Sequence, residues 1–187
     1  MELNTSQQIA KKNLLDFKNI LDRLGIVFWL DGGTLLGAYR DHNFCANDED
    51  DVDLCCWDNW MVLADELIAR AAEKGFEVKR RWELEIAFKR DGYKIDLFFN
   101  KKNGKEAYTY LYRPGTFNID KFVVIPAHFY EELELIEFHG ALFNRPRNIE
   151  EYLTLKYGDW RTPVNRRDYS CYNAENNKLV REKYDIQ

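Results

Sequence analysis

The run DVDLCCW, residues 51–57, sets two aspartates two positions apart at the mouth of an otherwise apolar stretch. Side chains alternate faces along a strand, so Asp51 and Asp53 leave one side together, about 7 Å apart, while Val52 turns to the other. Two carboxylates in one small space raise each other's pKa or require a cation. A hard divalent ion with oxygen ligands, magnesium or manganese, is the simplest resolution. The chain must therefore fold so that paired charges stand at the edge of a buried sheet.

A third acid meets the same condition. Asp96 lies in YKIDLFF between Ile95 and Leu97-Phe98-Phe99, and a buried carboxylate is costly unless it has a partner. If that strand pairs beside 52–57, three carboxylates converge. Upstream, FWLDGGTLLGAYR joins a short apolar run to Gly32, Gly33 and Thr34. Bare glycine backbone lets N–H groups approach a phosphate, and Thr34 adds a hydroxyl donor. Taken in order, strand, Gly-Gly-Thr, helix, Asp-x-Asp strand and single-Asp strand make a device for holding a nucleotide-linked phosphate against metal ions. Asp48, Glu49 and Asp50 read as a solvated loop. A calcium loop is excluded, because the burst lacks the required glycine and the acid twelve positions from its start.

The rest of the chain reads as α+β. Apolar residues at Ile9, Leu14, Phe17, Ile20, Leu21 and Leu24 predict a helix from Thr5 or Ser6, stopped by Gly25. A strand is expected at 26–30, ended by the glycine pair, with a helical turn or two from Thr34. Asp58 and Asn59 read as caps for a helix running to Gly75. Strands follow at 76–82, 84–90 and 93–100, the last two joined by an Asp91-Gly92 hairpin turn. KKNGK is a turn, and AYTYLYR extends the sheet. LELIEFHGALFNRP reads as a hairpin through Gly140, and NIEEYLTLKYG as a helix capped by Asn148 and stopped by Gly158. The polar stretch after Pro163 reads as a tail over the surface.

Composition narrows the function classes. The 187 residues carry 27 basic and 32 acidic side chains, a net charge of −5 with no basic block, which argues against nucleic acid as a partner. No apolar run approaches the ~18 residues of a membrane span, and the first 25 residues lack a signal-peptide core, so no transmembrane segment and a cytoplasmic location are expected. Cys45, Cys55, Cys56 and Cys171 have no zinc-ligand spacing, and their pattern fits a reducing compartment. His42, His128 and His139 stand apart from one another as surface or packing residues, and Trp29, Trp57 and Trp82 as core.

FWLDGGTLLGAYR followed by DEDDVDL resembles the LicD and fukutin-related phosphotransferases, a branch of the nucleotidyltransferase superfamily. YKIDLFF sits where that family has its third acidic strand, and FHGALFNRPRNIEEYLTLKYGDWRTP resembles its closing block. The resemblance spans about residues 10–163. It implies a nucleotidyltransferase-like fold, a small mixed β-sheet flanked by helices, in a single domain over 1–187 with a polar tail at 164–187. The implied activity moves a phospho-alcohol, of phosphocholine or polyol phosphate type, from a CDP-activated donor to a hydroxyl of a glycan or lipid-linked saccharide.

By the same likeness, Asp51 and Asp53 are the metal pair for Mg2+ or Mn2+, and Asp96 is a third ligand or general base. Gly32, Gly33 and Thr34 form the phosphate-facing turn. Arg40 matches the motif's arginine, either as a phosphate-neutralising cation or as half of a helix-surface ion pair. Lys156, Tyr157 and Asp159 read as helix-end packing rather than substrate contacts. The chain departs from the pattern where CAN replaces an aromatic and a proline before the acids. The rival readings are nucleotidyl transfer with release of pyrophosphate, an Asp-x-Asp glycosyltransferase and a non-catalytic binding module.

Overall fold

The computed structural model describes residues 3–46, 48, 50–110, 121–164 and 179–182. Helix α1, Thr5–Arg23, starts at a capping box in which Asn4 and Gln7 each accept the other's backbone N–H, and it buries Ala10, Leu14, Phe17, Ile20 and Leu21. Strand β1 is Phe28–Leu30 and helix α2 is Gly32–Leu36, which runs on as a π-helical turn over Gly37–Asp41. Strand β2, Asp51–Trp57, leads through a 3-10 turn at Asp58–Leu63 into α3, Ala64–Glu73. Strands β3 (Glu77–Trp82), β4 (Glu85–Arg90), β5 (Tyr93–Asn103), β6 (Glu106–Tyr110) and β7 (Lys121–Pro126) follow. The rest is α4 (His128–Glu131), β8 (Leu133–Phe138), β9 (Ala141–Pro146), α5 (Ile149–Tyr157) and β10 (Val180–Glu182).

Among the described residues ten strands form one mixed sheet, ordered β10-β7-β6-β5-β2-β1-β9-β8, with β4 on the other side of β5 and β3 beyond it. The long β5 is its hinge line. Its first part lies between β2, parallel, and β4, antiparallel, and its last residues pair with β6. Both expected hairpin turns form with positive φ at two residues, Asp91 and Gly92 at 53° and 89°, His139 and Gly140 at 54° and 85°. That is the backbone a two-residue hairpin loop matched to strand twist requires.

Strand parity divides the sheet into two chemistries. Val52, Leu54 and Cys56 of β2 stand beside Ile95, Leu97 and Phe99 of β5, with Ile86 and Phe88 of β4 on the same face, and all are buried. Helix α1 packs there, the Phe17 ring lying 4.9 Å from that of Phe88 and 5.3 Å from that of Phe76. The opposite face carries Asp51 and Asp53 beside Lys94 and Asp96, with Trp29 opposite Cys55. On this side the Tyr130 ring of α4 stacks on Trp29 at 4.8 Å and its hydroxyl meets that of Tyr152 of α5.

Several local expectations are corrected. The glycine pair does not precede the helix but forms its first turn, with Asp31 at the N-cap position. The segment after Trp57 makes a 3-10 turn without a side-chain cap bond, so the α-helix begins only at Ala64. Asn148 precedes α5 with a left-handed φ of 55° and no side-chain cap bond, so asparagine serves there for its backbone tolerance. Strands β7 and β10 and the short α4 had no expected counterpart. Val180–Glu182 pairs with β7, so that piece of the tail is a strand rather than surface wrapping. Glu49, Cys171, residues 111–113 and the rest of the tail lie outside the described residues.

Candidate active site

The parallel pairing of β2 and β5 sets Asp53 directly opposite Asp96 and Asp51 opposite Lys94. One carboxylate oxygen from each of Asp51, Asp53 and Asp96 lies within 4.8 Å of the others. The convergence expected from strand parity is therefore present. Burial, then the charges of Asp51 and Asp96, push the Asp53 carboxyl well above the usual range, with Lys156 opposing and Asp31 adding to the shift. Asp96 is raised to about 7, by burial first and then by Asp51, with Lys94 and Arg80 pulling the other way and Glu85 adding. Asp96 Oδ1 is buried and has no hydrogen-bond partner among the described residues. Clustered hard oxygen donors, one of them an orphaned acceptor, fit a divalent cation.

Two basic residues border the cluster. Lys94 Nζ is 2.8 Å from Asp51 Oδ2 and 4.0 Å from Asp96 Oδ2. Arg80 pairs with the fully buried Glu85 and reaches to 3.6 Å from Asp96 Oδ2, its guanidinium over the Trp82 ring at 4.7 Å.

The Gly-Gly-Thr turn is fastened to Asp53. Gly33 N–H donates to Asp53 Oδ2 at 3.2 Å, Asp53 N–H donates to Thr34 Oγ1 at 2.9 Å, and Asp31 N–H donates to the Asp53 carbonyl at 3.2 Å. Gly32 has φ +55°, and a Cβ there would lie 2.0 Å from Asp53 Oδ2 and 2.8 Å from Asp53 Cβ. At Gly33 an added Cβ would meet the Asp48 carboxylate at 2.1 Å. Asp48 thus leans over the turn, while Asp50 is exposed as the loop reading expects. Thr34 is buried with its hydroxyl toward Asp53, so its observed work is to hold the turn on β2.

Beneath the turn lies a buried polar network that sequence reasoning missed. Lys156 Nζ donates to Asp31 Oδ1 at 2.7 Å and to the Tyr152 hydroxyl at 3.2 Å, and Tyr152 itself donates to Asp31 Oδ1. Cys55 Sγ donates to Asp31 Oδ2 at 3.2 Å. Burial opposes charge on Asp31, yet the Lys156 ammonium, with bonds from Lys156, Tyr152 and Gly32, holds its carboxyl below the usual range. Lys156 is therefore the ion-pair partner of the residue that opens α2, not helix-end packing. A lysine in the buried turn of YLTLKY was the available signal. Arg40 chelates Asp41 through Nε and Nη2, each at 2.8 Å, and donates to the Trp160 carbonyl at 3.1 Å. These bonds match the ion-pair alternative and tie the glycine-rich segment to the closing block.

Residues 25–148 match the family described as LicD/FKTN/FKRP, nucleotidyltransferase domain. The chain belongs to the LicD/FKTN/FKRP family. It is similar to mouse ribitol 5-phosphate transferase FKRP, 30% identical over 146 residues covering 74% of this chain and 29% of that protein. It is also similar to ribitol-5-phosphate transferase FKTN of Macaca fascicularis, 26% identical over 189 residues covering 90% of this chain and 37% of FKTN. The chain thus spans 29% and 37% of the length of these two relatives.

Among solved structures, the antibiotic-resistance factor ANT(2'')-Ia in solution matches with a TM-score of 0.54 at 14% identity, covering 92% of this chain and 83% of that one. That likeness concerns the fold. Together with the family match it establishes the nucleotidyltransferase-like α+β class for this LicD/FKTN/FKRP domain. No helix among its described residues is long and apolar enough to cross a membrane.

Proposed function

We propose that this LicD/FKTN/FKRP domain is a divalent-metal-dependent phosphotransferase. It moves a phospho-alcohol, phosphocholine or a polyol phosphate, from a CDP-activated donor to a hydroxyl of a glycan or lipid-linked saccharide. The observation that carries the reading is the cluster of Asp51, Asp53 and Asp96, three carboxylates with oxygens within 4.8 Å beside the Gly-Gly turn. The names of the relatives support a ribitol phosphate as one candidate cargo.

Asp51, Asp53 and Asp96 would hold Mg2+ or Mn2+, which when bound supplies charge neutralisation of the donor's diphosphate. Gly32 and Gly33 let the Asp53 and Asp48 carboxylates close against the turn, and Thr34 keeps that turn in register with Asp53. The acceptor oxygen attacks the phosphorus that bears the alcohol, the bond to the CMP oxygen breaks, and CMP leaves. The acceptor's proton passes to the carboxylate of Asp96, one of whose oxygens lies within 4.8 Å of those of Asp51 and Asp53. Arg40 is given the phosphate-side role only through the segment it braces.

The test is turnover with CDP-ribitol and CDP-choline in the presence of manganese. Asp53→Asn should lose activity by at least a hundredfold while still folding, with a cooperative thermal transition no lower than the parent's. Full turnover by this variant would sink the assignment. Release of pyrophosphate from CTP, with CMP left on the acceptor and no turnover of the CDP-linked donors, would instead identify a nucleotidyltransferase.

A further inference from the structure

Lys94 lies in the carboxylate site for a reason that neither strand propensity nor packing requires. It stands opposite Asp51 in the parallel register and two positions before Asp96, so its side chain leaves the sheet on the face that carries the three acids. Its backbone N–H is fixed by the Asp50 carbonyl at 2.8 Å. The ammonium then reaches 2.8 Å from Asp51 and 4.0 Å from Asp96. A divalent ion held by this triad draws on the same carboxylates, and two cations so close repel each other strongly.

The two lysines of the site differ in exposure. Lys156 has a side chain 7% exposed and is locked on Asp31 and Tyr152, whereas that of Lys94 is 35% exposed. A half-buried flexible stem lets a charged head move outward to the site's mouth without disturbing the strand.

We propose that Lys94 is a donor-binding residue that also competes with the metal: its ammonium sits on Asp51 beside Asp96, and yields that place to the ion when a diphosphate offers it a new partner. The inference rests on the metal-dependent reading above. Its consequence is reciprocal coupling, since each of metal and diphosphate raises the affinity for the other when both act on the same ammonium. The device favours metal capture together with donor over metal capture alone.

Titration calorimetry tests this with Mn2+ alone, CDP alone, and CDP at saturating Mn2+, on the parent, Lys94→Met and Lys94→Arg. In Lys94→Met, Mn2+ alone should bind roughly tenfold tighter, CDP with Mn2+ should bind roughly tenfold weaker, and the coupling between them should fall to what direct contact of ion and diphosphate supplies. Lys94→Arg, which keeps the charge, should retain most of the coupling. An unchanged or weaker Mn2+ affinity in a folded Lys94→Met overturns the inference while leaving the metal reading intact. No Mn2+ binding to the parent protein overturns the metal reading itself.

Discussion

At the scale of single residues, the site depends on close approach. Gly32 combines a positive φ with a position against the Asp53 side chain, and an added methyl group meets Asp53 down to its Cβ, where no rotamer change relieves the contact. Gly32→Ala is expected to cost about 1–3 kcal/mol in urea unfolding and to abolish Mn2+ binding by displacing Asp53. Gly33→Ala meets only the end of the Asp48 carboxylate, a movable group, and should be much milder in the same measurements. The three aspartates were legible in the sequence because strand periodicity assigns faces without further information. The orientation of the Thr34 hydroxyl toward Asp53 N–H was not, because it depends on where α2 docks.

At the scale of elements, helix α5 is more than a lid on the sheet. It carries Tyr152 and Lys156 on successive turns, so both meet the Asp31 carboxylate that begins α2. Removing one member of a buried ion pair strands the other charge. Lys156→Met should cost about 3–5 kcal/mol in chemical denaturation, and adding Asp31→Asn to it should recover a large part of that loss. Additive losses in the double variant would show that the two side chains do not act as a pair. Hairpins and helix stops were readable from Asp91-Gly92, Gly140 and Gly158, where local backbone demands decide the outcome. The π turn at 37–41 and the 3-10 turn at 58–63 were not readable, since their geometry follows the docking of their neighbours.

For the whole molecule, the two faces of the sheet differ in their response to pH. The apolar face under α1 is indifferent to it. On the other face Asp53 and Asp96 bind protons more tightly folded than unfolded, so their contribution to stability is complete below the ordinary carboxylate range and is lost as pH rises through the folded values, about 7 for Asp96. Asp31, held low by Lys156, contributes in the opposite sense, its stabilisation disappearing only in acid below the ordinary range. The metal-free protein should therefore unfold at falling temperature between about pH 5 and 8, and Asp96→Asn should flatten that slope. Manganese should abolish it, because metal binding favours the deprotonated carboxylates of the folded chain. Melting curves at stepped pH, with and without the ion, measure both effects.

The sequence by itself determined which residues carry the acids, which faces of their strands they occupy, where the main turns fall and to which family the chain is kin. These follow from local periodicity and from backbone rules that act over a few residues. Only the tertiary structure decided that β2 and β5 run side by side in the register that sets Asp53 against Asp96. It alone brought Lys156 from α5, 125 residues along the chain, to Asp31, and set the Lys94 ammonium among the carboxylates. Long-range charge pairing depends on how distant segments pack, and no spacing along one strand or helix encodes it.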